Sequence, residues 1–240
     1  MKPSSQNHKP RAASQLALFD IDGTMVRMWE VHEKVYASVV EALYGVKGFN
    51  FRAHYRPGET NEQVILSNLL HQGYSEQAVR QKLQDVGALM SKYYLEYIRR
   101  GDITVLPGVV PLLDSLRLRG VLTGIVTGNR GAIADMILNK AGIASYFHFV
   151  SSSDSSTDRE GRILSAIAQA EKLSTQKYRK DRVYFFDDSD GSIPVSRKLG
   201  IKSVAVATGE IPKDRLKALG PDYLLDDLSN TNSILEVIMQ

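Results

Sequence analysis

The chain of 240 residues contains no cysteine. This excludes disulfide scaffolds, thiolate metal sites and cysteine nucleophiles, and it fits a reducing cytoplasm. No apolar run approaches the ~20 residues that a membrane span needs, and the basic N-terminus lacks the apolar centre of a secretory signal. We therefore predict a cytoplasmic protein with no membrane partner, in which residues 1–14 form a disordered tail.

The chain also lacks a dense basic stripe. Its formal net charge is only +3, and its positive residues are scattered rather than interleaved with aromatic residues. Because nucleic-acid-binding surfaces concentrate Lys and Arg on one face, we predict no nucleic-acid partner. With 43% hydrophobic and 24% charged residues, the composition is that of an ordinary globular protein able to bury a core.

Six short apolar runs have the character of β-strands, and amphipathic helical patterns separate the later ones. The runs are Leu16–Phe19, Leu122–Thr127, Phe147–Ser151, Val183–Phe186, Ser203–Ala207 and Tyr223–Leu225. Helical spacing is clearest at Ala132–Ala141 and Arg162–Leu173. Strands that alternate with helices predict a parallel sheet covered on both faces, which is an α/β fold with a Rossmann-like core.

The stretch between residues 28 and 102 breaks this alternation. It has helical patterns at Glu30–Tyr44, Asn61–Leu70 and Ser75–Arg100, with Gly and Pro between them. An all-helical block inserted after the first strand is typical of a separate cap. We therefore predict an α/β core of residues 15–27 and 103–240, and a helical cap of residues 28–102.

Acidic residues follow two of the predicted strands. Asp20 and Asp22 end the first strand, and Asp187 and Asp188 end the fourth. Because the carboxyl ends of parallel strands lie at one edge of a sheet, we expect these carboxylates to converge. Carboxylates with oxygen-only neighbours favour Mg²⁺ over Zn²⁺, since Mg²⁺ is the harder cation.

A third strand end has the character of a phosphate cradle. Thr127 offers a hydroxyl, and Gly128 and Asn129 offer backbone N–H groups at a strand-to-helix turn. Each motif alone has an ordinary alternative, such as a turn at Asp22-Gly23 or a helix N-cap at 187–189. Their joint occurrence, in order and at strand ends, favours a phosphate site with a metal beside it.

In this order the motifs resemble those of the haloacid dehalogenase (HAD) superfamily of phosphohydrolases, over essentially Leu16 to Met239. The stretches that carry the resemblance are DIDGT at 20–24, LTGIVTGN at 122–129 and VYFFDDS at 183–189. The resemblance implies a Rossmann-like core with a helical type 1 cap, a Mg²⁺ cofactor and a small phosphorylated metabolite as substrate. It leaves the oligomeric state open between monomer and homodimer.

The resemblance also implies roles for the motif residues. Asp20 is the implied nucleophile, which forms an aspartyl-phosphate, and Asp22 is the implied general acid and base. The implied metal residues are Asp20, Asp22 through its backbone carbonyl, Asp187 and Asp188. The implied substrate-binding residues of the core are Gly23, Thr24, Thr127, Gly128 and Asn129.

The sequence departs from the family pattern in two places. The family's third motif supplies a lysine, whereas SSSDSSTDREGRILSAIAQA at 151–170 contains none. Arg159 is the predicted catalytic replacement and Arg162 is the alternate, although arginine has a wider, planar head. Ser192 stands where the family often has Asp or Asn, and Asp190 is the candidate to replace that missing side chain.

The cap supplies three further candidates for substrate binding. His32 follows Asp20 by twelve residues, where related enzymes often place a histidine near the hinge; the alternative is a surface histidine. Arg56 and Asn61 bound the loop RPGETN, at the position of the family's specificity loop; the alternative is an ordinary loop before a helix. Trp29 is predicted to pack between cap and core.

Asp22 favours phosphate-ester chemistry, since the family's dehalogenases lack the second aspartate. We therefore predict a Mg²⁺-dependent phosphatase of the phosphoglycolate-phosphatase type, which acts on a small soluble monoester. Two alternatives stay open. One is a sugar phosphomutase, and the other is a HAD-like binding protein that has lost turnover, which the missing lysine and Ser192 keep in consideration.

Overall fold

The computed structural model describes residues 15–100 and 103–239. The predicted tail at residues 1–14 lies outside the described residues, as does residue 102 at the predicted end of the cap.

The described strands form one large sheet and one small ribbon. They are β1 (Leu16–Phe19), β2 (Val26–Arg27), β3 (Thr104–Val105), β4 (Leu122–Val126), β5 (Val150–Ser151), β6 (Val183–Asp187), β7 (Lys202–Val206) and β8 (Tyr223–Leu225). Six of them form a sheet in the order β5-β4-β1-β6-β7-β8, and every neighbouring pair is parallel. The predicted parallel α/β sheet is therefore confirmed.

Helices connect these strands. They are α1 (Trp29–Tyr44), α2 (Asn61–His71), α3 (Glu76–Arg100), α4 (Val109–Leu118), α5 (Gly131–Lys140), α6 (Arg159–Ser174), α7 (Ser192–Leu199), α8 (Lys213–Ala218) and α9 (Thr231–Ile238). Helix α6 begins three residues earlier than its apolar pattern predicts, because Asp158 caps it by accepting from the Gly161 N–H at 2.7 Å. No helix formed by residues 15–100 and 103–239 is long and apolar enough to span a membrane.

Strand β1 lies in the middle of the sheet, and all four of its side chains are fully buried. Its last residue, Phe19, pairs with Ile125 of β4 and with Phe186 of β6. The Asp20 N–H continues this ladder by donating to the Phe186 carbonyl at 2.9 Å. Asp20 therefore leaves the sheet level with Asp187, at the edge where ligands bind in open α/β folds.

The helical insertion is joined to the sheet by two adjacent connections. Strands β2 and β3 pair with each other in antiparallel fashion, with Val26 opposite Val105, and α1 to α3 lie between them in the chain. The buried apolar cluster is continuous across the junction, since Phe19 of the sheet belongs to the same cluster as Val35 of α1 and Tyr94 of α3. The insertion therefore starts and ends at one point on the core, and its role as a separate cap stays a prediction.

Candidate active site

The predicted motif residues meet at one cavity of about 40 Å³ beneath the helical insertion. The core lines it with Asp20, Asp22, Thr127, Gly128, Asn129, Arg159, Asp187, Asp188 and Ser189. The insertion lines it with Trp29, His32, Tyr36, Phe51, Tyr55, Pro57, Gly58, Glu59 and Asn61. The sequence prediction of convergence at the sheet edge thus agrees with the position of these residues.

Burial and neighbouring negative charges raise the pKa of two carboxyl groups at this edge, those of Asp20 and Asp188. Burial raises the pKa of Asp20 well above its ordinary value, and the negative charges of Asp187, Asp188 and Asp22 add to this effect. Burial and the charge of Asp187 also raise the pKa of Asp188 to about 8. Such a group of acids holds its charge only when a cation lies beside it, so the donor set fits a hard divalent ion.

Within residues 15–100 and 103–239, no three His, Asp or Glu side chains form a preformed metal cage. Mg²⁺ does not require one, because it keeps several waters and usually takes one or two carboxylates together with substrate oxygens. Asp20, the backbone carbonyl of Asp22, and Asp188 are the residues that would hold it. These residues fit Mg²⁺ because they offer buried carboxylate and carbonyl oxygens.

Gly23 and Thr24 act on Asp188 and do not line the cavity. The Thr24 hydroxyl donates to Asp188 Oδ1 at 3.1 Å. A Cβ on Gly23 would lie 2.5 Å from Asp188 Oδ2, which is too close. Gly23 also has a φ of +85°, which glycine adopts with little strain and other residues adopt only with considerable strain. Both residues contact the predicted metal aspartate, and a role of Gly23 and Thr24 in substrate binding stays a prediction.

Asp187 is oriented by neighbours of its own. The Ser189 N–H donates to Asp187 Oδ1 at 2.6 Å, and the Ser189 hydroxyl donates to the same oxygen. Its other oxygen lies 3.6 Å from Arg159 Nη1. Asp187 is therefore placed to orient Arg159 and the loop after β6, and it lines the cavity together with Asp20 and Asp188.

The structure distinguishes the two candidate arginines of α6. Arg159 lines the cavity, and its Nη2 donates to the Pro57 carbonyl at 2.9 Å. Arg162 is buried and is not among the lining residues; its Nη2 donates to the Gly58 carbonyl at 2.7 Å. Burial, and then the neighbouring Arg159 charge, lower the pKa of Arg162 to about 10. Arg159 therefore reaches the cavity, whereas Arg162 holds the loop of the insertion.

Asp22 is held at both carboxylate oxygens. Asn129 Nδ2 donates to Oδ2 at 2.6 Å, and His32 Nε2 lies 2.9 Å from Oδ1. Tyr94 Oη lies 2.6 Å from His32 Nδ1, and burial raises the pKa of Tyr94 well above its ordinary value. With its hydrogen on Nε2, the imidazole accepts from the Tyr94 hydroxyl and donates to Asp22. A hydrogen-bonded chain therefore connects the insertion to Asp22.

The cradle residues after β4 approach the insertion closely. The Asn129 N–H donates to Thr127 Oγ1 at 3.1 Å, which fixes the turn. A Cβ on Gly128 would lie 2.3 Å from the Glu59 carbonyl oxygen, so the loop of the insertion can lie over the cradle only because residue 128 is glycine. The turn thus borders the same small enclosed space as Asp20.

Comparison with known proteins agrees with this geometry. Residues 17–206 match the haloacid dehalogenase-like hydrolase family. The chain belongs to this family. It is 24% identical over 224 residues to phosphoglycolate phosphatase of Agrobacterium fabrum, which covers 91% of each chain. It is also 24% identical over 232 residues to protein CbbY of Rhodobacter capsulatus, which covers 88% of this chain and 92% of that one.

A solved structure shares the fold. The predicted phosphoglycolate phosphatase from Haemophilus somnus has a TM-score of 0.72 at 18% sequence identity, over 92% of this chain and 97% of that one. The resemblance and the fold class stated from the sequence are therefore confirmed, and the chain is a HAD-like hydrolase with an α/β core.

Two other candidate residues of this HAD-like hydrolase do not line the cavity. Arg56 is exposed and does not line the cavity; its backbone N–H donates to Glu59 Oε2 at 3.2 Å, so the loop folds on itself and leaves the arginine outside. Asp190 pairs with Arg215 at 2.5 Å and is also not a lining residue, so it does not compensate for Ser192.

The aromatic wall of this HAD-like hydrolase was not predicted from the sequence. Trp29, which we expected only to pack, lines the cavity together with Tyr36, Phe51 and Tyr55. Tyr36 and Phe51 stack with ring centroids 4.7 Å apart. A signal for part of the wall was present, because Trp29, His32 and Tyr36 are spaced i, i+3, i+7 and so share one face of α1.

Exposed ion pairs join the insertion and the core at the rim of the cavity. Arg52 Nη2 of the insertion lies 2.7 Å from Glu210 Oε1 of the core. Arg130 of the core lies 3.3 Å from Glu62 of the insertion. These contacts, together with the inner contacts of α6, hold the insertion over the site.

Proposed function

We propose that this HAD-like hydrolase is a Mg²⁺-dependent phosphatase that hydrolyses a small soluble phosphate monoester through an aspartyl-phosphate on Asp20. The observation that supports this most strongly is the state of Asp22. Its two oxygens are held by Asn129 and His32 in the cavity that Asp20 also lines. A carboxyl fixed in this way is suited to transfer a proton to one defined atom.

The chemistry proceeds in two halves. An Asp20 oxygen attacks phosphorus, the bond between phosphorus and the leaving oxygen breaks, and Asp22 gives its proton to that oxygen. In the second half, Asp22 takes a proton from water, and the water oxygen attacks phosphorus and releases Asp20. The insertion excludes other water while this happens.

The other lining residues of the core hold the phosphoryl group. Arg159 offers a guanidinium to its oxygens, and Thr127 with the Gly128 N–H offers neutral donors. Bound Mg²⁺ supplies further neutralisation of the charge that otherwise keeps a carboxylate away from a phosphate.

Phosphate release tests the proposal. The purified protein is expected to release inorganic phosphate from several small monoesters and from an aryl phosphate when Mg²⁺ is added, and to stop when the metal is chelated. Isomerised sugar phosphate without net phosphate release would instead indicate the phosphomutase. If no ester is turned over with Mg²⁺ present, the proposal is contradicted, and the alternative of a HAD-like binding protein without turnover is favoured.

Tyr94 is expected to act on Asp22 through His32. Tyr94→Phe removes the hydroxyl that fixes His32 Nδ1, so kcat/KM for alkyl phosphates is expected to fall about two- to tenfold, the worth of one hydrogen bond. An aryl phosphate needs little proton donation and is expected to lose less.

Tyr97→Phe is the matched control for this substitution. Tyr97 is on the same helix, and its hydroxyl bonds Ser38 Oγ at 2.9 Å and does not contact the site. Both variants lose one tyrosine hydroxyl from α3, so an equal loss in both, or an equal loss on alkyl and aryl esters, would contradict a positioning role for Tyr94.

A further inference from the structure

The side of the cavity that the insertion forms, called the insertion wall below, has an acidic side chain and, among the residues that the structure describes, no Lys or Arg. Because the core residues of the cavity hold the phosphoryl group in the proposed function, the residues of the insertion are the ones left to meet the leaving group of the ester. Of the nine residues by which the insertion lines the cavity, none is Lys or Arg. Four are aromatic, and the acidic Glu59 is among the rest. A leaving group that carried its own negative charge would find no side-chain cation on this wall.

The cations nearest to this wall are engaged elsewhere. Arg52 bonds Glu210 and lies over the Trp29 ring at 4.8 Å from its centroid. Arg56 is exposed and outside the lining, as described above. His32 has both ring nitrogens occupied, one by Tyr94 and one by Asp22. The cation that remains is Arg159, which belongs to the phosphoryl group.

The rest of the lining opposes an anionic leaving group. Four aspartates of the core line the same space. Burying a further carboxylate or phosphate against aromatic rings, without a partner of opposite charge, is strongly unfavourable. The site therefore disfavours substrates whose leaving group is negatively charged. Binding sites often achieve specificity by such unfavourable contacts with the wrong ligand.

A buried amide oxygen indicates what the wall accepts instead. Asn129 Nδ2 donates to Asp22, so Asn129 Oδ1 is the acceptor for Asn61 Nδ2 at 3.2 Å. The same Asn61 nitrogen donates to Tyr36 Oη at 3.0 Å. This fixes the orientation of the Asn61 amide and leaves its Oδ1 buried without a partner in a residue that lines the cavity. A hydroxyl of the substrate would satisfy that oxygen.

We infer that the leaving group is a short, uncharged alcohol with at least one further hydroxyl, which donates to Asn61 Oδ1 while its carbon chain lies against the aromatic wall. Esters whose leaving group carries a carboxylate or a second phosphate are poor substrates. The inference rests on the proposed phosphatase function. It separates this chain from the relatives named phosphoglycolate phosphatase, since glycolate is an anionic leaving group.

Two pairs of substrates test the charge directly, because each pair differs only by a hydroxymethyl group in place of a carboxylate. They are 2-hydroxyethyl phosphate with 2-phosphoglycolate, and glycerol 3-phosphate with 3-phosphoglycerate. With Mg²⁺ present, kcat/KM is expected to be about 100-fold higher or more for the neutral member of each pair. Equal or faster turnover of the anionic members would overturn the inference and leave the phosphatase function standing.

The role of Asn61 is tested by a ratio. In the unmodified protein, 2-hydroxyethyl phosphate is expected to be a better substrate than ethyl phosphate, which lacks the second hydroxyl. Asn61→Ala is expected to lower that ratio of kcat/KM about fivefold or more. An unchanged ratio would overturn the assignment of Asn61.

Asn68→Ala is the matched control, because Asn68 is also buried on α2 with an unpartnered Oδ1 but does not line the cavity. Its ratio for the two esters is expected to stay as in the unmodified protein. If the protein hydrolyses an aryl phosphate but neither 2-hydroxyethyl phosphate nor glycerol 3-phosphate, the inference is overturned and the proposed phosphatase function stands. Failure on every ester would overturn the proposed function and the inference with it.

Discussion

Asp20→Asn is expected to lower kcat by at least about 10⁴-fold, because the amide is nearly isosteric with the carboxylate but cannot form the aspartyl-phosphate. The measurement is phosphate release in the presence of Mg²⁺, on any ester that the unmodified protein hydrolyses. Turnover near that of the unmodified protein would show that Asp20 is not the nucleophile.

Thermal unfolding provides the control for this variant. Because the pKa of the Asp20 carboxyl is raised in the folded protein, its ionisation opposes folding above its ordinary value of 3.8. Asparagine removes that charge from a group of four acids, so the metal-free variant is expected to melt at a higher temperature than the unmodified protein at neutral pH. Lost activity with raised stability cannot come from unfolding.

Asp22→Asn is expected to reduce kcat/KM for alkyl phosphates by about 10²- to 10³-fold, the usual contribution of a general acid. The reduction is expected to be much smaller for p-nitrophenyl phosphate, whose leaving group departs without a proton. The parameter kcat/KM is the appropriate one because it ends at the departure of the leaving group, before Asp22 is needed as a base.

The same variant distinguishes proton transfer from positioning. Asparagine keeps the shape of the side chain but puts an NH₂ group opposite one of the two donors, Asn129 or His32. KM is therefore expected to change little, and the melting temperature to fall by a few degrees, about the cost of one lost hydrogen bond. An equal loss of kcat/KM on alkyl and aryl esters would show that Asp22 acts by placing the substrate and not by donating a proton.

The sequence was sufficient to predict where the core residues converge. Strand β1 is a short apolar run, and the parallel arrangement follows from the alternation of strands and helices. Once the sheet is parallel, Asp20, Thr127 and Asp188 must leave it at the same edge. This part was predictable because it depends on local patterns and on one general rule of topology.

The choice between Arg159 and Arg162 was not predictable in this way. The sequence predicted Arg159 and gave Arg162 as the alternate, but both arginines lie in the first turn of α6 and their environments were not visible in the sequence. The distinction comes from the carbonyl groups of Pro57 and Gly58, which lie about a hundred residues away in the chain and accept hydrogen bonds from them. A contact of that kind is fixed by the position of the insertion over the core.

The position of Arg56 was not predictable for a related reason. Its position in the loop RPGETN suggested a substrate contact, but the turn that closes on Glu59 leaves the arginine at the surface. The aromatic residues that do line the cavity, such as Phe51 in its short 3₁₀ turn, have the composition of ordinary core residues. Only the folded chain shows that their faces border an open space.

The hydrogen bonds between α6 and the insertion determine how the enclosure of the site responds to salt. Arg159 and Arg162 donate to peptide carbonyls, which neither titrate nor form ion pairs, and both side chains are largely buried. Dissolved salt screens such contacts far less than it screens the exposed pairs at the rim. The enclosure of the site is therefore largely insensitive to ionic strength, and the rim pairs of Arg52 and Arg130 are the contacts that salt weakens.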